Sequence, residues 1–103
     1  MKKKEEQMNR HDILEVLRRF KEVNADRYKI ARLGLFGSGA RDSREDKSDI
    51  DVVVVVSEVN ALNLIGIKQD LEEKFLCHVD VVRYREKMNP LLRKRIEREA
   101  VYV

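Results

Sequence analysis

Five consecutive valines, Val52 to Val56, follow Ile50 near the middle of the chain. Their branched side chains are stiff at χ1 and suit a pleated surface. A strand with one wet face alternates apolar and polar residues, so an unbroken run reads as a strand covered on both faces. At a sheet edge the same run is an aggregation hazard. The segment Asp49 to Ser57 is therefore expected to be a central strand. The run is far too short to cross a membrane.

The rest of the chain supplies partners for that strand. A helix is expected from about Asn9 to Asn24, with Asn9 as its cap and Ile13, Val16, Leu17 and Phe20 on one stripe. Ile30 to Phe36 reads as a strand, and 37–47 as a polar loop or a single helical turn. A second helix spans about Ala61 to Leu76, with Leu64, Ile67, Leu71 and Phe75 at helical spacing. Val79 to Arg83 is a third strand. Pro90 can open a last helix, because its missing N–H is not needed in a first turn. Leu92, Ile96 and Ala100 mark that helix's buried face.

The order α-β-turn-β-α-β-α predicts an α+β fold, a mixed sheet of at least three strands with helices packed on it. The helix between the second and third strands allows them to be parallel. The short link between the first and second allows those two to be antiparallel neighbours.

The chain has 103 residues, which predicts one domain over 1–103, with residues 1–8 as a flexible basic tail carrying Lys2, Lys3 and Lys4. A core this small leaves little room for a separate substrate-recognition domain. Charged residues make up 40% of the chain, and the formal net charge is +3. There is no obvious basic stripe with aromatics, so nucleic acid is not the expected partner. The single cysteine, Cys77, excludes an intrachain disulfide and Cys-rich metal motifs, and reads as a packing residue. No apolar stretch follows the leading lysines, so no signal peptide is expected, and a cytoplasmic location is the default.

The chemistry concentrates in two places. Asp49 and Asp51 lie two apart at the start of a strand, so their side chains share a face. Two carboxylates held together by a rigid element repel, and a divalent cation relieves them. Oxygen ligands suit Mg²⁺, or Mn²⁺, rather than zinc. Upstream, Gly37-Ser38 directly follows a strand. Glycine there lets the backbone turn and come close to a ligand, and free N–H groups after it would face an anion such as a phosphate. Each feature alone is common. If the first two strands are antiparallel neighbours, both meet at one end of the sheet. Asp80 lies within Val79-Asp80-Val81-Val82, where an unpaired charge is costly unless it has a partner or faces a site.

Gly37-Ser38-Gly39-Ala40-Arg41 with Ser48-Asp49-Ile50-Asp51 resembles the signature of the DNA polymerase β-type nucleotidyltransferases, in particular the minimal nucleotidyltransferase (MNT) branch. Val79-Asp80-Val81-Val82 stands where that branch carries its third aspartate. Pro90-Leu91-Leu92 through Ile96, Glu99 and Ala100 resembles its closing helix. The resemblance departs at Asp42, where glycine is common, and at Glu45, Asp46 and Lys47.

The resemblance implies a polymerase β-like fold and transfer of a nucleoside monophosphate to a hydroxyl. It implies two Mg²⁺ held by Asp49, Asp51 and Asp80, with Gly37 and Ser38 cradling phosphates and Arg41 as a further phosphate contact. It further implies ATP as donor and a HEPN-family toxin as acceptor through a tyrosine, the chain being the antitoxin. Two alternatives stand beside this: neutralisation of the partner by binding alone, with the acidic 42–46 segment weakening nucleotide binding, or transfer to RNA or to a small molecule such as an aminoglycoside. The base, the acceptor and any homo- or hetero-oligomeric state are not fixed by these residues.

His78 lies two residues before Asp80 and would share its face, which leaves a site role open, but it has no partner ligands at metal-binding spacing. His11 is expected to be exposed. Tyr84 and Tyr102 are expected in packing or at an interface.

Overall fold

A computed structural model describes residues 9–37 and 49–103 of the chain. The elements are α1 (Arg10–Tyr28), β1 (Ile30–Phe36), β2 (Ile50–Val56), α2 (Ala61–Phe75), β3 (Val79–Arg83), α3 (Pro90–Glu99) and β4 (Val101–Tyr102). Among the described residues the sheet has four strands in the order β3-β2-β1-β4. β1 runs antiparallel to β2 and to β4, and β2 runs parallel to β3. The mixed α+β sheet expected from the sequence is present, with the valine strand inside it. No described helix is long and apolar enough to cross a membrane.

Both faces of β2 are covered, as an unbroken valine run requires. Val52 and Val54 pack with Leu33, Leu35 and Val79 against Ile13, Leu17 and Phe20 of α1 and Ile67 and Leu71 of α2. Val53 faces the other way, into a smaller cluster with Phe36 and Ile96 of α3. The burial is complete only over Val52, Val53 and Val54; Val55 and Val56 are half-buried near the strand's end. Cys77 packs at the margin of the larger cluster, and Tyr84 and Tyr102 pack at the margin of the smaller one. His11 is exposed.

The caps follow the local sequence. Asn9 accepts the Asp12 N–H at 2.8 Å, Asn60 accepts from Leu62 and Asn63, and Asn89 does the same for α3 ahead of Pro90. Each satisfies backbone donors that a helix start leaves orphaned.

α1 runs four residues past its expected end at Asn24. The Asn24 amide donates back to the Phe20 carbonyl at 3.1 Å within the helix, so it does not terminate it. The added turn buries Tyr28, whose ring stacks on Phe20 and whose hydroxyl donates to Asp70 Oδ2 at 2.6 Å. Lys29 then ends the helix in the left-handed conformation, at φ 58°.

β4 was not foreseen. Two residues carry no readable period, and its pairing depends on Gly34. A Cβ at Gly34 would lie 2.9 Å from Tyr102 Cδ1 and from the Val101 carbonyl oxygen. Its absence lets Tyr102 lie flat across β1, under the Arg32 guanidinium at 3.8 Å from the ring centre. Gly34→Ala is therefore expected to push β4 off β1 at a cost of about 1–3 kcal/mol, the usual range for overpacking. Hydrogen exchange checks this: the Val103 amide, bonded to the Leu33 carbonyl at 2.9 Å, should lose protection while the β2 amides keep theirs.

Candidate active site

The antiparallel β1–β2 ladder brings the end of β1 to the start of β2, so Phe36 opposes Asp51. The parallel β2–β3 ladder sets Asp51 opposite Asp80. The Ile50 N–H donates to the His78 carbonyl at 3.1 Å, tying the first residue of β2 to the residue that precedes β3. Gly37, Asp49, Asp51, His78 and Asp80 thus collect at one end of the sheet. Asp51 alternates with Val53 and Asp80 with Val82, which puts both carboxylates on the face that α3 covers.

Asp80 does not lie buried among its valines. Its side chain and those of Asp49 and His78 are about half exposed. The two aspartates and the histidine offer ligand atoms that all lie within 4.8 Å of one another. Asp51 stands deeper, half-buried next to Gly37. Burial pushes its carboxyl above the usual carboxylate range, Asp80, Asp49 and Glu99 push the same way, and Arg95 pulls part of the way back. The negative charge here is only partly compensated by the protein. The carboxylate oxygens are donors that suit a hard divalent cation.

Two residues of α3 complete the floor. Glu99 is 9% exposed at its side chain. It accepts the Gly37 N–H at 3.2 Å and the Arg95 Nε–H at 3.3 Å. Arg95 lies over the Phe36 ring at 5.5 Å, and its Nη2 would be 3.1 Å from a Cβ on Gly37. Gly37 has φ 78°, a left-handed conformation, and the same Cβ would come within 2.5 Å of Asp51 Oδ2. Glycine is needed there for both reasons. Its amide, however, is engaged by Glu99, so what Gly37 lends a ligand in this arrangement is the missing side chain.

Of the residues singled out in the sequence, Gly37, Asp49, Asp51 and Asp80 are thus brought together. Ser38, Arg41 and the acidic 42–46 segment lie outside the described residues. The sequence reading left a site role for His78 open without promoting it, and used Glu99 only as part of a family resemblance. Arg95 was not noticed at all, since one arginine among many on a charged helix carries no signal of its own.

A family model for the nucleotidyltransferase domain matches residues 17–103, and the chain belongs to that family. Within it the chain is of the minimal kind. It is 36% identical over 95 residues to a Methanocaldococcus jannaschii protein provisionally named protein adenylyltransferase MJ1379, covering 89% of this chain and 95% of that one. A solved structure described provisionally as a minimal nucleotidyltransferase superposes with a TM-score of 0.70 at 31% identity, over 92% of this chain and 96% of the other. The fold is shared as well with a complex of a tri-AMPylated Shewanella oneidensis HEPN toxin and its MNT antitoxin, at a TM-score of 0.58 and 21% identity, over 94% of this chain and 70% of that one.

Two substitutions should separate stability from site geometry. A carboxyl whose folded pKa is raised favours the fold when neutral, and that contribution is lost as pH rises through the folded value. Ion-free Asp51→Asn protein should therefore melt higher than the wild type at pH 7, with the gap closing as pH falls below the carboxylate range. Thermal unfolding with a chelator present tests this, and a lower midpoint for Asp51→Asn at pH 7 would contradict it. Gly37→Ala should melt lower at every pH, because its Cβ enters the space of the Asp51 carboxylate.

Proposed function

We propose that this protein is a Mg²⁺-dependent adenylyltransferase that moves AMP from ATP to a tyrosine hydroxyl of a HEPN-family toxin, acting as its antitoxin. The observation that carries the reading is the in-register pair Asp51 and Asp80, with Asp49 beside them and Gly37 at the same sheet end. Family membership makes nucleotidyl transfer the reaction class. The relatives' names supply the acceptor class: a protein adenylyltransferase in one case, an AMPylated HEPN toxin bound to an MNT antitoxin in another. The reaction belongs in the cytoplasm, the compartment that supplies ATP.

On this reading Asp49, Asp51 and Asp80 hold the ions, and Mn²⁺ can replace Mg²⁺. The bound ions supply charge neutralisation at the phosphates. Gly37 lets the triphosphate approach the strand end, and Ser38 and Arg41 contribute contacts to it. Asp80, half exposed on the edge strand, would accept the proton of the incoming hydroxyl. The oxygen of that hydroxyl forms a bond to the α-phosphorus, the bond from that phosphorus to the β-phosphate oxygen breaks, and pyrophosphate leaves. Arg95 limits the charge build-up at Asp51.

The test is intact-mass analysis of a cognate HEPN partner incubated with this protein and Mg-ATP. One or more AMP masses should appear on the partner and map to tyrosine. The Asp49→Ala, Asp51→Ala double variant should lose more than roughly a hundredfold in rate, beyond the upper range for loss of an outer-shell partner alone. If that variant still neutralises the toxin fully, the protein works by binding. If no partner tyrosine is modified with any nucleoside triphosphate, the acceptor is of another kind.

A further inference from the structure

The side chain between Asp49 and Asp80 has no part in a three-carboxylate site. His78 Nδ1 lies 3.3 Å from Asp49 Oδ2 and 3.7 Å from Asp80 Oδ1. Its other ring nitrogen, Nε2, is 3.4 Å from Lys68 Nζ. An ammonium group has donors only. Facing Lys68, Nε2 must offer its lone pair, and a neutral imidazole then carries its proton on Nδ1. Nδ1 is the ring nitrogen nearest the two carboxylates.

Lys68 is itself fixed. It donates to Glu72 Oε2 at 2.7 Å and to the Val79 carbonyl at 2.8 Å, while Glu72 also accepts the Val79 N–H at 3.0 Å. A connected set of polar groups therefore runs from α2, across the start of β3, to the carboxylates. Direct coordination of an ion by Nδ1 would need the opposite tautomer, with Nε2–H turned against the Lys68 ammonium.

We propose that His78 is a positioning residue for the ion site: from outside the coordination shell, its Nδ1–H keeps Asp49 and Asp80 convergent, and Lys68 sets the tautomer that makes this possible. The inference rests on the reading of these aspartates as ion ligands. Its physical content is that carboxylates converging on one point repel each other and turn outward when nothing polar stands between them. A polarised N–H between them holds them in place while leaving each carboxylate a second oxygen for an ion. Outer-shell partners of this kind are worth about 10–100-fold in metal affinity. His78 is half exposed, so replacing it opens no cavity in the core.

The experiment is a Mn²⁺ titration of the full chain without nucleotide, followed by electron paramagnetic resonance, for the wild type, His78→Ala, His78→Asn and the Asp49→Ala, Asp51→Ala variant. His78→Ala should bind Mn²⁺ about tenfold or more weakly, with its melting temperature in chelator unchanged. His78→Asn, whose amide can place an N–H near the position of Nδ1–H, should recover most of the affinity. Pulsed resonance on the wild-type complex should show no nitrogen bonded to Mn²⁺. The inference is overturned if His78→Ala binds as tightly as the wild type, or if a directly coordinated nitrogen appears and vanishes in that variant; the ion-site reading survives both. If the double aspartate variant binds Mn²⁺ as the wild type does, the ion-site reading falls and this inference falls with it.

Discussion

Like charges crowd at one end of the sheet, and the strands cannot move apart to relieve them. Asp51 is held in register with Phe36 on one side and Asp80 on the other. Val52, Val53 and Val54, the residues that follow it, are fully buried, in clusters on both faces. Sliding β2 by one residue would exchange its two faces and send Asp51 into the core beneath α1 and α2. The hydrophobic energy of the valine strand thus fixes the position of a charge that is unfavourable where it sits. Functional sites characteristically store such cost against a surrounding structure that over-determines them.

The two faces of the sheet divide the work. α1 and α2 bury the larger cluster on one face. On the other, α3 contributes one buried apolar side chain, Ile96, and spends its last turn on Arg95 and Glu99 beside Gly37 and Asp51. A chain of this size has little core to spare, so the same short helix closes the small cluster and furnishes the floor of the site. Glu99 shows the economy: one carboxylate fixes both the glycine turn and the arginine that faces Asp51.

How much of this was legible in the sequence depended on whether a feature announces itself locally. The bounds of β1 and β3, the start of α2 and the cap at Asn9 follow from propensity and capping chemistry. The central place of β2 follows from five valines in a row. The meeting of Gly37 with Asp49 and Asp51 needed one further step, the antiparallel pairing of β1 with β2. The last turn of α1 was hidden, because Asn24 looks like a stop signal until its side chain is seen bonded inside the helix. His78, Arg95 and Glu99 were hidden for a different reason. Their contacts depend on strand pairing and on where α3 packs, Glu99 reaching Gly37 from 62 residues away and His78 reaching Asp49 across the β2–β3 ladder, and single charged residues in a chain that is 40% charged carry no pattern. Asp80 was noticed for the right reason, an acid among valines, but the cost of burying it was never incurred, since strand alternation turns it out of the core.

Charge balance then argues for the cofactor more strongly than the donor set does. Asp49, Asp51, Asp80 and Glu99 gather at the site, and among the described residues Arg95 and Arg98 pair with Glu99, at 3.3 and 3.6 Å. A nucleoside triphosphate brought to this end of the sheet would meet an excess of negative charge, and Arg95 is already committed to Glu99 and the Phe36 ring. A site built on arginines and lysines can hold phosphates by itself; this arrangement, among the described residues, holds carboxylates where such a site would hold cations. Bound divalent ions reverse the sign of the local field and turn each aspartate from a repulsive group into an anchor. On the proposed reading, bound ions neutralise the carboxylates, and the crowding that costs stability in the ion-free protein becomes a source of affinity for the ions and, through them, for the nucleotide.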